Sequence, residues 1–102
     1  ETGNLNRLTL IDLSDNAITG SLSSTIGRLR HLEVLNLTGN SITSSFPTSI
    51  GELTDLTYLN LQHNLLNGYF PSSVGNLIKL EVLNIASNAF TGEIPSEICN
   101  LM

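Results

Sequence analysis

An asparagine returns every 24 residues along this chain, at Asn16, Asn40, Asn64 and Asn88. Around each one the apolar positions repeat without insertion. Leu8, Leu32, Leu56 and Leu80 stand eight before it, and Ile11, Leu35, Leu59 and Leu83 five before it. Leu13, Leu37, Leu61 and Ile85 stand three before it, and Ile18, Ile42, Leu66 and Phe90 two after it. A fixed period of roughly 20 to 50 residues marks a solenoid, whose units bury their apolar faces only against one another. The 102 residues are therefore expected to form one stacked domain, 1–102, with repeats at about 5–28, 29–52, 53–76 and 77–100.

Each repeat opens with a stretch such as LEVLNL, in which apolar and polar residues alternate as in a half-buried strand. The Leu and Ile at five and three before the Asn point inward. The positions between them form outward columns: Leu10, Val34, Tyr58 and Val82; then Asp12, Asn36, Asn60 and Asn84; then Ser14, Thr38, Gln62 and Ala86. Asp15, Gly39, His63 and Ser87 follow at the rim. The recurring Asn closes the strand. Its amide both donates and accepts, so it can bond strand-end backbone groups in its own coil and the neighbouring one. An Asp there would bring an unpaired charge, and a Leu no hydrogen bonds. Gly20, Gly68 and Gly92 then suit a bend or a positive φ. Ser44 in that column implies that glycine is not an absolute requirement. Pro47, Pro71 and Pro95 fix φ where no donor is wanted, with Ser23 in the first coil. The segments around STIG, TSIG and SSVG are too short for α-helix and predict single 3₁₀ turns.

The whole phrase, Leu-x-x-Leu-x-x-Leu-x-Leu-x-x-Asn-x-Leu-x-Gly-x-Ile-Pro-x-x-Ile-Gly-x-Leu, resembles the leucine-rich repeat. Its 24-residue length and its Gly-x-apolar-Pro portion are similar to the plant-type subclass of receptor-kinase ectodomains, receptor-like proteins and polygalacturonase inhibitors. The resemblance runs from Gly3 to Met102. It implies an α/β solenoid, mostly β with 3₁₀ turns: a right-handed curved superhelix with a parallel concave sheet and often a second short sheet. It also implies an extracellular location and binding of proteins or peptides through the concave or lateral face. Two departures stand out. Relatives carry a longer N-terminal cap and paired cysteines at both ends, whereas Cys99 is the only cysteine of this chain. The sequence thus reads as a slice of a longer array or a minimal member. The inward residues of its first and last coils are expected to leave open apolar ends that favour self-association.

The same period excludes most chemistry. His63 lies at the concave rim and Cys99 on the outer turn one and a half coils away, so they form no dyad. Asp12 and Asp15 have no His partner and read as a solvated acidic patch. Phosphate loops, zinc spacings and Ser/His/Asp arrangements are lacking, so an enzyme, a metal site or a cofactor is not expected. The net charge of −5 opposes nucleic-acid binding, which needs clustered cations. Arg7, Arg28, Arg30 and His31 gather early but read as exposed surface. No apolar run reaches the ~18 to 20 residues of a membrane span.

What remains is recognition. The residues expected to carry it are Tyr58, Asn60, Gln62 and His63, with Val34, Val82 and Asn84 beside them. Tyrosine offers a rigid apolar face with a polar tip, the type that anchors interfaces. Four strands at ~4.8 Å spacing span under ~20 Å, which suits a short peptide or part of a larger site. Asn36-Leu37-Thr38 matches the N-glycosylation acceptor triplet and places Asn36 on the same face. Two other readings stay open: a structural or self-assembling scaffold without its own ligand, and, by resemblance, an inhibitor of a cell-wall hydrolase.

Overall fold

The computed structural model describes residues 7–92. The first three repeats contribute the same three pieces in the same order, and the fourth contributes the first two within the described residues. The short strands β1 (Leu10–Asp12), β3 (Val34–Asn36), β5 (Tyr58–Asn60) and β7 (Val82–Asn84) pair in parallel as one sheet. A second parallel sheet follows from β2 (Thr19–Ser21), β4 (Ser41–Ser45), β6 (Leu65–Tyr69) and β8 (Ala89–Thr91). Between one repeat and the next lie 3₁₀ turns, η1 (Ser24–Arg28), η2 (Thr48–Glu52) and η3 (Ser72–Asn76). No α-helix occurs among the described residues. The parallel solenoid, the second sheet and the 3₁₀ turns all match expectation. Leu5, Pro95, Ile94, Ile98, Cys99 and Leu101 lie outside the described residues.

The alternation that marks the strands also fills the core. Leu32, Leu35, Leu37, Ile42, Phe46 and Ile50 of the second coil are buried, as are Leu56, Leu59, Leu61, Leu66, Phe70 and Val74 of the third. Each fully buried Leu or Ile contributes about 1.5–3 kcal/mol. Phe46 and Phe70 stack with ring centroids 6.0 Å apart, and Phe90 meets Phe70 edge-on at 5.3 Å. The outer coils are less well covered: Ile11, Ile18, Leu22 and Ile26 at one end, and Leu83, Ile85 and Phe90 at the other, are only partly buried. Leu8 and Leu13, whose counterparts in the middle coils are inward, remain 38% and 43% exposed.

The two sheets differ in register. In the first, Leu35 pairs with Leu59, an offset of one whole repeat (59 − 35 = 24). In the second, Thr43 pairs with Leu65, an offset of only 22 (65 − 43). The asparagine amides follow the 22-residue register. The Ile18 N–H donates to Asn40 Oδ1 at 3.2 Å, and the next bond, from Ser41 N–H to Ile18 O, starts the backbone ladder at 2.8 Å. The amide thus stands in for the first rung.

Asn64 shows the full pattern: its Nδ2 donates to Leu61 O in its own coil (3.1 Å) and Leu37 O in the previous one (2.8 Å). Its Oδ1 accepts from Ile42 N–H at 3.1 Å. Asn40 and Asn88 repeat these bonds, whereas Asn16 in the first coil bonds, among the described residues, only within its own coil, to Leu13 O and Ser14 O.

The turns are fitted coil against coil. A Cβ built on Gly51 would lie 2.8 Å from both Ser73 Cβ and Ser73 O, and one on Gly27 would lie 2.9 Å from Ser49 Cβ. Glycine recurs in this column because the next coil leaves no room for a side chain. The contacting serines use that closeness: Ser49 Oγ donates to Ser24 O and Ser73 Oγ to Thr48 O, at 2.8 and 2.7 Å. Ser23, where later coils have Pro47 and Pro71, accepts instead from Thr25 N–H and so caps η1.

Within the strands of the second sheet, Ser44 has φ +70°, like Gly20 and Gly68 in its column and Gly92 just after β8, so the left-handed conformation is kept where glycine is absent, as the column implied. A second such column was not foreseen: Asp15, Gly39, His63 and Ser87, between the two sheets, all have positive φ. Exposed ion pairs join the turns, Arg30 to Glu52 at 2.8 Å and Lys79 to Asp55 at 3.0 Å, with His31 4.0 Å from Asp55. The early cluster of basic residues is thus partly spent on neighbouring coils. Each such pair contributes about 0–1 kcal/mol.

Candidate functional site

Three of the expected contact residues share one row. Tyr58 pairs with Val34 on one side and Val82 on the other, all on the outward face of the first sheet. Leu10 extends the row, paired with Val34 and 58% exposed. The next row, Asp12, Asn36, Asn60 and Asn84, lies two residues further along the strands. These two rows join, because Asn60 Nδ2 donates to Tyr58 Oη at 3.1 Å. Gln62 joins as well: its Oε1 accepts from Asn84 Nδ2 of the neighbouring coil at 3.1 Å. Tyr58, Asn60, Gln62 and Asn84 are therefore held in place by bonds to one another. His63 stands apart from this group. It is exposed at the left-handed corner beyond the strand, with its N–H donating to Ala86 O.

The second row has a job that the alternating pattern hides. Asn60 Oδ1 accepts from Gln62 N–H, Asn36 Oδ1 from Thr38 N–H and Asn84 Oδ1 from Ala86 N–H. Each is an Asx turn that satisfies the backbone as the strand ends. Asp12 does the same with Ser14, accepting from both its hydroxyl and its N–H. Those two bonds, the hydroxyl first, lower the Asp12 pKa below its ordinary 3.8. These side chains thus close strands with one oxygen and leave the rest of the group to face outward.

Glu33 and Glu81, which the pattern did not single out, stand exposed immediately before Val34 and Val82. With Asp12 and Asp15 they put four exposed carboxylates in or beside the strands of the first sheet, whereas Arg28, Arg30 and Lys79 belong to the 3₁₀ turns and the segments after them. Among the described residues, none of these four acids takes part in an ion pair. No group of three or more His, Cys, Asp or Glu among the described residues is placed to hold a metal ion. No helix among them is long and apolar enough to cross a membrane.

A stack of 24-residue coils with a parallel sheet, an asparagine ladder and 3₁₀ returns defines a leucine-rich repeat solenoid. This chain belongs to the leucine-rich repeat family, in its plant-type form: the model of a leucine-rich repeat region matches residues 1–102. Among solved structures, it is similar to the plant peptide hormone receptor RGFR1 in complex with RGF2 (35% identity, TM-score 0.93). That match covers 98% of this chain and 16% of the receptor. The BIR3–SERK2 complex from Arabidopsis thaliana is 40% identical with a TM-score of 0.87, over 91% of this chain and 50% of that one. A plant ice-binding protein is 31% identical with a TM-score of 0.90, over 98% of this chain and 33% of its own. The chain thus spans half or less of the length of each. A search of curated proteins returned no match.

Proposed function

We propose that the chain is an extracellular recognition module, without enzymatic activity, that binds a peptide or protein across its first sheet. The carrying observation is the Val34–Tyr58–Val82 row beside the linked Asn60, Gln62 and Asn84 side chains. A half-buried aromatic ring next to preset amides supplies apolar area and directional bonds at small entropic cost. His63 lies at the margin of this surface. The peptide hormone complex of a similar fold supports the reading. Asp12, Asp15, Glu33 and Glu81 favour a ligand carrying Lys or Arg, drawn in by complementary charge.

Capture from extracellular fluid of the source organism, read by mass spectrometry, tests this. The parent is compared with a Tyr58→Ala, Asn60→Ala, Gln62→Ala triple variant whose fold is checked by circular dichroism. A cation-bearing partner held by the parent, lost by the variant and weakened by salt is the expected result. Capture that ignores the substitutions would remove the site from this face, and no capture would leave a structural scaffold. A captured cell-wall hydrolase whose rate falls on binding would identify an inhibitor.

A second reading concerns the second sheet. Residues 16–27 and 40–51 contain no charged side chain, and Thr19, Ser21, Ser41, Thr43 and Ser45 repeat small hydroxyls along paired strands. With the ice-binding neighbour, this regular uncharged surface supports contact with ice. Inhibition of ice recrystallisation by the parent, abolished by Thr43→Lys, is the expected outcome. Parent and buffer behaving alike would dismiss it.

A further inference from the structure

We infer that Asn36 carries an N-linked glycan and that this glycan divides the first-sheet face into a shielded half and an open one. The inference rests on the extracellular reading above. Asn36-Leu37-Thr38 is the only Asn-x-Ser/Thr triplet in the chain. Its row supplies an internal comparison. Asn36, Asn60 and Asn84 all use Oδ1 to close their strands, but the two that lack the triplet also commit Nδ2. Asn60 Nδ2 bonds Tyr58 and Asn84 Nδ2 bonds Gln62, whereas Asn36 Nδ2 has no partner among the described residues. Among the described residues no buried side-chain nitrogen or oxygen lacks a partner, so this Nδ2 is open to solvent. The nitrogen that a glycan would occupy is the one the fold leaves unused.

The modification needs a donor, a lipid pyrophosphate-linked oligosaccharide of the secretory pathway. Asn36 Nδ2 forms a bond to the anomeric carbon. The bond from that carbon to the pyrophosphate oxygen breaks, and the lipid pyrophosphate leaves with the electron pair. One Nδ2 proton passes to base. The Oδ1 lone pairs stay available, so the bonds from the Thr38 hydroxyl at 2.7 Å and from Thr38 N–H at 3.1 Å survive in the product. A glycan on Asn60 or Asn84 would instead break the bonds that preset the contact surface. Rooted between β1 and β5, the Asn36 glycan covers Val34 and the edge of Asn60. The open half is then Tyr58, Gln62, Val82 and Asn84, where a ligand seats.

The test is the full chain secreted from eukaryotic cells behind an added signal sequence. Intact mass is measured before and after a peptide N-glycosidase acting in heavy-oxygen water, which marks the vacated residue as a labelled Asp. The parent and Thr38→Ser are expected to lose one glycan and gain the label at Asn36, while Thr38→Ala and Asn36→Gln emerge at sequence mass. Circular dichroism on all four separates loss of the acceptor from loss of the fold. A secreted, folded parent at its sequence mass would overturn the inference, and so would a label at any other residue. Ligand capture by unglycosylated protein made in bacteria is scored separately, so a missing glycan and a missing ligand are distinguishable.

Discussion

Asn64 satisfies three backbone groups that lie in two coils, and it is buried. Replacing it with Ala strands the buried Ile42 N–H, while Leu37 O keeps Asn40 Nδ2 and Leu61 O keeps Asn88 Nδ2, so Asn64→Ala is expected to cost roughly 1–3 kcal/mol in urea unfolding. Asn16→Ala, at an exposed position with bonds among the described residues in its own coil only, is expected to cost under about 1 kcal/mol. Equal losses would deny the ladder its inter-coil role. Asp12 sets a pH dependence. Its folded pKa lies below 3.8, so its contribution is complete above that value and disappears as pH falls through the lowered one. Asp12→Asn keeps an acceptor for Ser14 but removes the titration, so its melting temperature should fall less steeply with acid than the parent's. The ladder was legible because a buried amide at a fixed interval has few other uses. The Asx turns of Asn36, Asn60 and Asn84 were not, because alternation reports which way a side chain points and not which of its atoms turns back to the chain. The positive φ of Asp15, His63 and Ser87 was hidden too, because these side chains give no glycine signal in that column.

At the scale of the element, glycine serves two different ends. Gly51 in η2 faces Ser73 of the next coil, whereas Gly20 has nothing within 4 Å of its missing Cβ but holds φ +84°. Both Gly51→Ala and Gly20→Ala are therefore expected to destabilise, by about 1–3 kcal/mol from crowding and about 1–2 kcal/mol from backbone strain. Adding Ser73→Gly should recover part of the first loss and none of the second, a difference that thermal melts of the four proteins resolve. If Ser73→Gly rescues neither, coil-to-coil contact is not what selects glycine at 51. Strands and 3₁₀ turns were both readable from spacing. The 22-residue offset of the second sheet was not, because the sequence columns all repeat at 24 and pairing between coils leaves no mark in them.

For the whole molecule, the middle coils are sealed and the first is not. Leu8 and Leu13 keep about two-fifths of their surface in water, and Leu10 adds another exposed side chain nearby. The isolated 102-residue polypeptide is expected to associate through this end, with a mass by light scattering that rises with concentration. Leu8→Lys with Leu13→Lys should return it to a monomer, and a parent that is monomeric throughout would refute the expectation. The exposed end could be anticipated from the period. The lateral distribution of charge could not, because it emerges only when distant carboxylates are stacked side by side. The two pairing offsets, 24 on one sheet and 22 on the other, also bear on how such a gene can change. A recombination that adds or removes one complete repeat restores both sheets and the asparagine ladder, wherever in the coil its breakpoints fall. Loss of 22 residues shifts every inward side chain that follows out of step with its column in the first sheet. Lineages of such chains therefore lengthen and shorten by whole coils, while ordinary substitution varies the outward rows.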